Sequence, residues 1–173
     1  LDGARLMNAV AATGRPASDF ASHADTVSLC LSKGLGAPCG TVLSGPADII
    51  TRARRQRKLL GGAMRQAGFL AAAGLHALSH NVTRLADDHA RTRRLAEGLA
   101  ALPGFEVDLE ACQTNMVFVG LPGDRWQAIL ANVAQEGLLI GGGSRSVRLV
   151  CHKGLDDDAV DRTLQAFQQA APE

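Results

Sequence analysis

The sequence contains no tyrosine, and aromatic residues make up 3% of its 173 positions. A chain so poor in rings lacks the platforms on which RNA and single-strand binders stack bases. It also lacks an excess of charge. The formal net charge is +1, so no global field gathers nucleic acid or an anionic membrane. No apolar run approaches the about 20 residues that a membrane-spanning helix requires. The four cysteines, Cys30, Cys39, Cys112 and Cys151, form no C-x-x-C pair. The five histidines stand in no spacing with cysteine or acidic residues that would hold zinc, so no metal is expected. Three of the cysteines fall in apolar, strand-like runs. Buried free thiols in a reducing, cytoplasmic setting are therefore expected, with disulfides or metal ligation as the alternative.

What is present is the material of a globular core: 46% hydrophobic and 20% charged residues. The opening Leu1-Asp2-Gly3-Ala4-Arg5 reads as the end of a strand running into a helix, with no initiator methionine or signal segment. The chain is expected to begin inside a fold. Helical spacing covers 4–13, with Gly14 as a C-cap, and a short helical turn is expected over 17–23. Buried β-branched and apolar residues predict strands over 26–31 and 39–44. Pro46 opens a helix through the basic segment to about Leu60, and Gly61-Gly62 breaks it. Met64 to Leu78 reads as an Ala-rich helix buried on most sides. A long amphipathic helix is expected over 81–102, stopped by Pro103-Gly104. Beyond it come strands over 105–110 and 115–120, a helix over 124–136, strands over 138–140 and 146–151, and a helix over 156–170. This α/β pattern suggests two domains, 1–84 and 85–173, the second a small α+β unit.

Several residues are candidates for chemistry. Lys33 follows a strand and sits among glycines, with no other charge between Asp25 and Asp48. A lysine in an apolar setting has its ammonium form disfavoured, and a neutral amine attacks carbonyls. The plain alternative is a solvated turn lysine. Asp2 stands where a strand gives way to a helix, at the edge of an α/β sheet where ligands bind. Arg5 follows one turn on; an N-capping aspartate with a helical arginine is the alternative. Arg65 is expected at a helix start, a favourable place for an anion. Arg148, the one charge in an apolar strand, suggests a carboxylate or phosphate partner or an internal salt bridge. The basic run Arg52 to Lys58 spreads over more than one helix face, which favours a solvated or subunit-interface role over nucleic acid. His76 and His80 read as helix-surface or interface residues, and His152 could line a site with Arg148.

Four blocks in order resemble the low-specificity L-threonine aldolases, a pyridoxal-phosphate family with an aspartate-aminotransferase-like fold. They are Asp2-Gly3-Ala4-Arg5, Ser28 through Pro38, Gly61 through Gly68, and Val147 through His152. The resemblance implies the C-terminal part of a fold-type-I large domain followed by a small C-terminal domain. It implies that Lys33 carries the cofactor as a Schiff base and that Asp2 keeps its ring nitrogen protonated. Arg5 would lie near the ring oxygen and the substrate carboxylate. Ser32 and Arg65 would bind the phosphate, Arg65 across a subunit boundary, and Arg148 would grip the substrate carboxylate. The implied reaction is retro-aldol cleavage of L-threonine or L-allo-threonine to glycine and an aldehyde. An aminotransferase, a β-eliminating lyase and a non-catalytic binding fragment are the alternatives. The implied partners are an amino acid substrate, the N-terminal half of the same protein and further copies, as a tetramer or dimer. That half would carry the phosphate loop, the ring-stacking residue and the β-hydroxyl base, so these 173 residues alone are expected to be poorly active.

Overall fold

The computed structural model of the chain describes residues 1–141 and 144–171. The chain divides into two compact units, Leu1–Leu85 and Ala86–Glu173.

The first unit is built on a three-stranded sheet, ordered β1 (Asp2–Gly3), β2 (Val27–Cys30), β3 (Thr41–Ser44). β1 runs parallel to β2 with Asp2 opposite Ser28, and β3 is antiparallel to β2. The parallel pair needs a crossover, which α1 (Leu6–Thr13) and α2 (Ala17–Ala21) supply. α1 ends where the sequence predicts: Gly14 takes a left-handed φ of 68° and its N–H closes on the Val10 carbonyl. α3 (Ala47–Leu59) and α4 (Gly68–His80) follow. The buried cluster of this unit is Leu31, Leu35, Ala37, Ala77 and Leu85.

Two expectations for this unit are corrected. α4 begins at Gly68, not near Met64, because Gln66 adopts a φ of 50° that a continuing helix cannot hold. Nor is α4 buried on most sides: only Gly74 and Ala77 are buried, while Phe69 is 85% and Leu75 67% exposed. Gly74 is where the helix comes close to the sheet side of the unit, since a Cβ there would meet Leu31 Cδ1 at 2.9 Å. Leu59, Leu60 and Met64 are exposed as well.

The second unit begins with α5 (Leu85–Ala100, shared at its first residue with the first unit) and holds an antiparallel sheet. Its strands are β4 (Glu106–Val107), β5 (Met116–Gly120) and β6 (Ser146–Val150). Residues 123–125 form a 3₁₀ turn leading into α6 (Trp126–Gln135), and α7 (Asp157–Ala170) closes the unit. Alternation along β5 sends Val117 and Val119 inward, beside Leu99 of α5, Ile129 and Val133 of α6, and Phe167 of α7. α7 has a clear start, with the Asp156 carboxylate accepting the Ala159 N–H at 2.9 Å.

Here too the local reading overran. The long helix starts at Leu85, because residues 81–84 turn and Asn81 closes the end of α4. β4 is two residues long because the Asp108 carboxylate accepts the Glu110 and Ala111 N–H groups and curls the chain. No strand forms over 138–140: the backbone there stays irregular and Leu139 is 91% exposed. All four cysteines are free, but only Cys151 is buried; Cys30 and Cys112 are half-buried and Cys39 is exposed.

Candidate active site

Parallel pairing brings the carboxyl ends of β1 and β2 to one edge of the first sheet, the edge of an α/β sheet where ligands bind. Asp2 lies on β1 and Lys33 three residues beyond the end of β2. Both are exposed. Asp2 Oδ1 accepts the Ala4 N–H at 3.0 Å, which fixes the carboxylate at the strand-to-helix turn. Arg5, directly before α1, is half-buried and shares a small cavity with Cys30, Gly34 and Asn8. The structure therefore brings Asp2, Arg5, Ser32 and Lys33 to the same part of the first unit.

The Lys33 loop is held from below. Gly36 takes a φ of 72° and its N–H donates to the Lys33 carbonyl at 2.9 Å, which makes the turn. Gly34 must lack a side chain, because a Cβ there would lie 2.9 Å from Leu85 Cδ2 and 3.1 Å from Asn8 Nδ2. The buried Asn81 amide donates to the Leu35 carbonyl at 2.7 Å, and Arg84 Nη1 reaches the Gly34 carbonyl at 3.4 Å. Sequence reasoning missed Asn8, Asn81 and Arg84. One signal was available for Asn8: an amide inside an otherwise apolar helical stripe.

The apolar, dry setting expected for Lys33 is not found, since the turn directs Leu35 and Ala37 inward and leaves Lys33 exposed. Its neighbour Cys30 has Sγ 3.5 Å from Ser32 Oγ. Burial pushes the Cys30 thiol up, but hydrogen bonding from Ser32 and the Lys33 charge outweigh this and hold it below the ordinary thiol range.

Arg65 is not at a helix N-terminus. It lies exposed in the turn before α4, displaced by the left-handed Gln66. Arg148 belongs to the second unit. It is exposed on β6, opposite Phe118 of β5, and makes no ion pair among the described residues. With Cys151, His152, Leu138 and Ile140 it lines a cavity of about 330 Å³. The His152 ring is oriented by Gly154, whose N–H donates to Nδ1 at 3.1 Å. The described residues contain no cluster of three or more His, Cys, Asp or Glu side chains placed for a metal ion. None of the described helices is long and apolar enough to cross a membrane.

The fold is the one found in solved structures named as threonine aldolases. A protein from Exiguobacterium sp. 255-15, solved as a candidate aromatic amino acid beta-eliminating lyase/threonine aldolase, superposes with a TM-score of 0.81 at 24% identity, over 98% of this chain and 51% of that one. The chain belongs to the beta-eliminating lyase family, whose model matches residues 1–121, and that family is pyridoxal-phosphate dependent. Among curated relatives, low-specificity L-threonine aldolase 1 of Arabidopsis thaliana is 45% identical over 98% of this chain and 49% of its own length. The low specificity L-threonine aldolase of Escherichia coli (strain K12) is 43% identical over 88% of this chain and 44% of its own. The chain thus spans about half the length of the curated relatives it matches.

The side chains at the sheet edge suit the cofactor of this family. An exposed amine for its aldehyde lies beyond β2, and a carboxylate with one oxygen outside the Ala4 hydrogen bond lies on the adjacent parallel β1.

Proposed function

We propose that the protein to which this chain contributes is a threonine aldolase, cleaving L-threonine and L-allo-threonine to glycine and an aldehyde. The observation that supports this reading is the parallel pairing of β1 with β2, with Asp2 opposite Ser28 and the Lys33 loop following β2. The names of the relatives support the substrate class.

Lys33 would hold the cofactor through its amine, and Asp2 would keep a proton on the ring nitrogen. Bound pyridoxal phosphate supplies the electron sink for the pair released when the Cα–Cβ bond breaks. Arg5, at the strand-to-helix turn, would lie near the ring oxygen and the substrate carboxylate. Ser32 and Arg65 bind phosphate, Arg65 from a neighbouring copy. Arg148, without an ion-pair partner among the described residues, is assigned the substrate carboxylate. A two-pronged grip there orients the amino acid, and orientation decides which bond at Cα is cleaved. In this reading Leu1–Leu85 is part of the large cofactor domain and Ala86–Glu173 is the small domain. The exposed Leu59, Leu60, Met64, Phe69 and Leu75 support burial against further copies or the rest of the protein, as a tetramer or dimer. Four free thiols suit a cytoplasmic location.

The test is borohydride reduction in the presence of pyridoxal phosphate, followed by intact mass and peptide mapping. A reduced adduct on Lys33, absent in Lys33→Ala, is expected. An adduct that survives Lys33→Ala overturns the assignment. Glycine formed from threonine by the whole protein separates an aldolase from an aminotransferase or a β-eliminating lyase on the same fold.

A further inference from the structure

The second unit carries a cavity of which the proposed reaction uses only one residue, Arg148. Its volume is about 330 Å³, inside the range of small-molecule sites, about 300–1,000 Å³. α5, β6, α7 and the segment after α6 supply its walls. Most of that wall is apolar. Leu95 and Val160 are buried, and Ile140 and Leu155 are half-buried. Such a wall receives an apolar group by removing it from water.

The polar groups of the cavity are few and favour one sign of charge. Among the described residues lining it, Arg148 is the one charged side chain, and no aspartate or glutamate is present. Arg148 makes no ion pair among the described residues. Cys151 also lines the cavity, but burial pushes its thiol up, so it brings no negative charge. The Thr163 hydroxyl already donates to the Ala159 carbonyl at 2.7 Å. At His152 the Gly154 N–H donates to Nδ1 at 3.1 Å, which makes Nδ1 the acceptor and leaves Nε2 as an N–H donor. The cavity therefore offers an apolar wall, a guanidinium and a second donor, with no carboxylate to balance a cation.

We propose that this cavity binds a monocarboxylate with an apolar tail and no amino group, the chemistry of a free fatty acid. The carboxylate meets Arg148 and His152, and the tail lies against Leu95, Ile140, Leu155 and Val160. A planar guanidinium takes a carboxylate through two parallel hydrogen bonds. An α-amino acid fits less well, because its ammonium would stand beside Arg148 with no acidic side chain to offset it. The site is thus distinct in ligand class from the amino acid substrate, although both call on Arg148. One consequence follows for the reaction: an occupant of the cavity takes Arg148 from the substrate carboxylate and competes with the amino acid. That consequence rests on the functional reading above; the binding itself does not.

The full chain is titrated with octanoate by isothermal calorimetry, with acetate, 1-octanol and 2-aminooctanoate as comparison probes. Acetate lacks the tail, 1-octanol lacks the charge, and 2-aminooctanoate adds the ammonium. Saturable binding of octanoate at one site is expected, with each comparison probe weaker by about tenfold or more. Arg148→Gln, at an exposed position, should weaken octanoate by about tenfold and leave 1-octanol unchanged. Ile140→Trp fills the cavity with Arg148 in place and should abolish octanoate binding, with circular dichroism to show that the variant is folded. Absence of octanoate binding at millimolar concentration overturns the proposal. So does binding that Arg148→Gln and Ile140→Trp leave unchanged, because the ligand would then sit elsewhere. Equal affinity for 2-aminooctanoate overturns the ligand class and returns the cavity to the amino acid site. None of these readouts needs activity or cofactor, so failure here leaves the Lys33 assignment to its own borohydride test.

Discussion

A Cβ placed on Gly3 would lie 2.7 Å from the Ser28 carbonyl oxygen, so β1 and β2 meet backbone to backbone. That approach puts the carboxyl ends of the two strands side by side, and with them Asp2 and the Lys33 loop. Gly3→Ala forces the strands apart and is expected to destabilise the first unit by about 1–3 kcal/mol. Urea denaturation followed by far-ultraviolet circular dichroism reads the effect. An unchanged midpoint would argue against this strand register.

Asn81 acts at a distance from the reacting groups. Its amide is buried and satisfies the Leu35 carbonyl inside the loop that carries Lys33. Asn81→Ala leaves that carbonyl unsatisfied, at a cost of about 1–3 kcal/mol. Amide exchange of residues 34–37 should speed up more than exchange in α3. Equal effects in both segments would mean that Asn81 supports the unit generally and not the loop.

Phe167 is fully buried and meets Phe105 edge to face, with ring centroids 5.9 Å apart. Truncation to alanine removes both the buried area and the ring contact, for an expected loss of about 3–5 kcal/mol. The single tryptophan, Trp126, packs against the same cluster, so its fluorescence reports this unit selectively. Fluorescence midpoints should fall sharply in Phe167→Ala, while Gly3→Ala should move them little.

His89 carries a pH signature. Burial lowers its tendency to take a proton, and the Asp88 carboxylate only partly offsets this. The folded state therefore favours neutral imidazole, whereas the unfolded chain protonates near the ordinary histidine value of about 6.5. Protons are then bound more by the unfolded state below that value, so stability is full above it and falls as pH drops through the folded value. Trp126 midpoints should decline between neutral and mildly acidic pH, and the slope should flatten in His89→Gln. An identical slope in the variant would place the titration elsewhere.

The parts of the fold legible in the sequence are those decided by neighbours along the chain. Gly14 ends α1, and Pro103-Gly104 ends α5 in a turn with Gly104 at a φ of 76°. Each depends on the local backbone freedom of one or two residues. The overruns have non-local or hidden causes. Residues 138–140 have strand composition but no strand pairs with them, and pairing is settled by the partner edge, not by propensity. α4 starts late because of one left-handed residue, Gln66, a conformation that glutamine seldom announces.

The site divides in the same manner. By itself the sequence determined that Lys33 stands in a glycine turn after a strand and that Asp2 stands at a strand-to-helix junction. These are statements about spacing and residue type. Only the tertiary structure decided that the two strands are parallel neighbours, so that Asp2 and Lys33 share an edge. Only it placed Arg5 against Cys30 and Gly34, and Asn81 beneath Leu35 from 46 residues away. The reason is physical. Turns and caps follow from a residue's own φ and ψ preferences, whereas the meeting of distant side chains depends on how buried surfaces stack and which backbones can approach. At Gly3, Gly34 and Gly74 that approach requires a missing side chain, and a sequence shows the glycine without showing what comes near it.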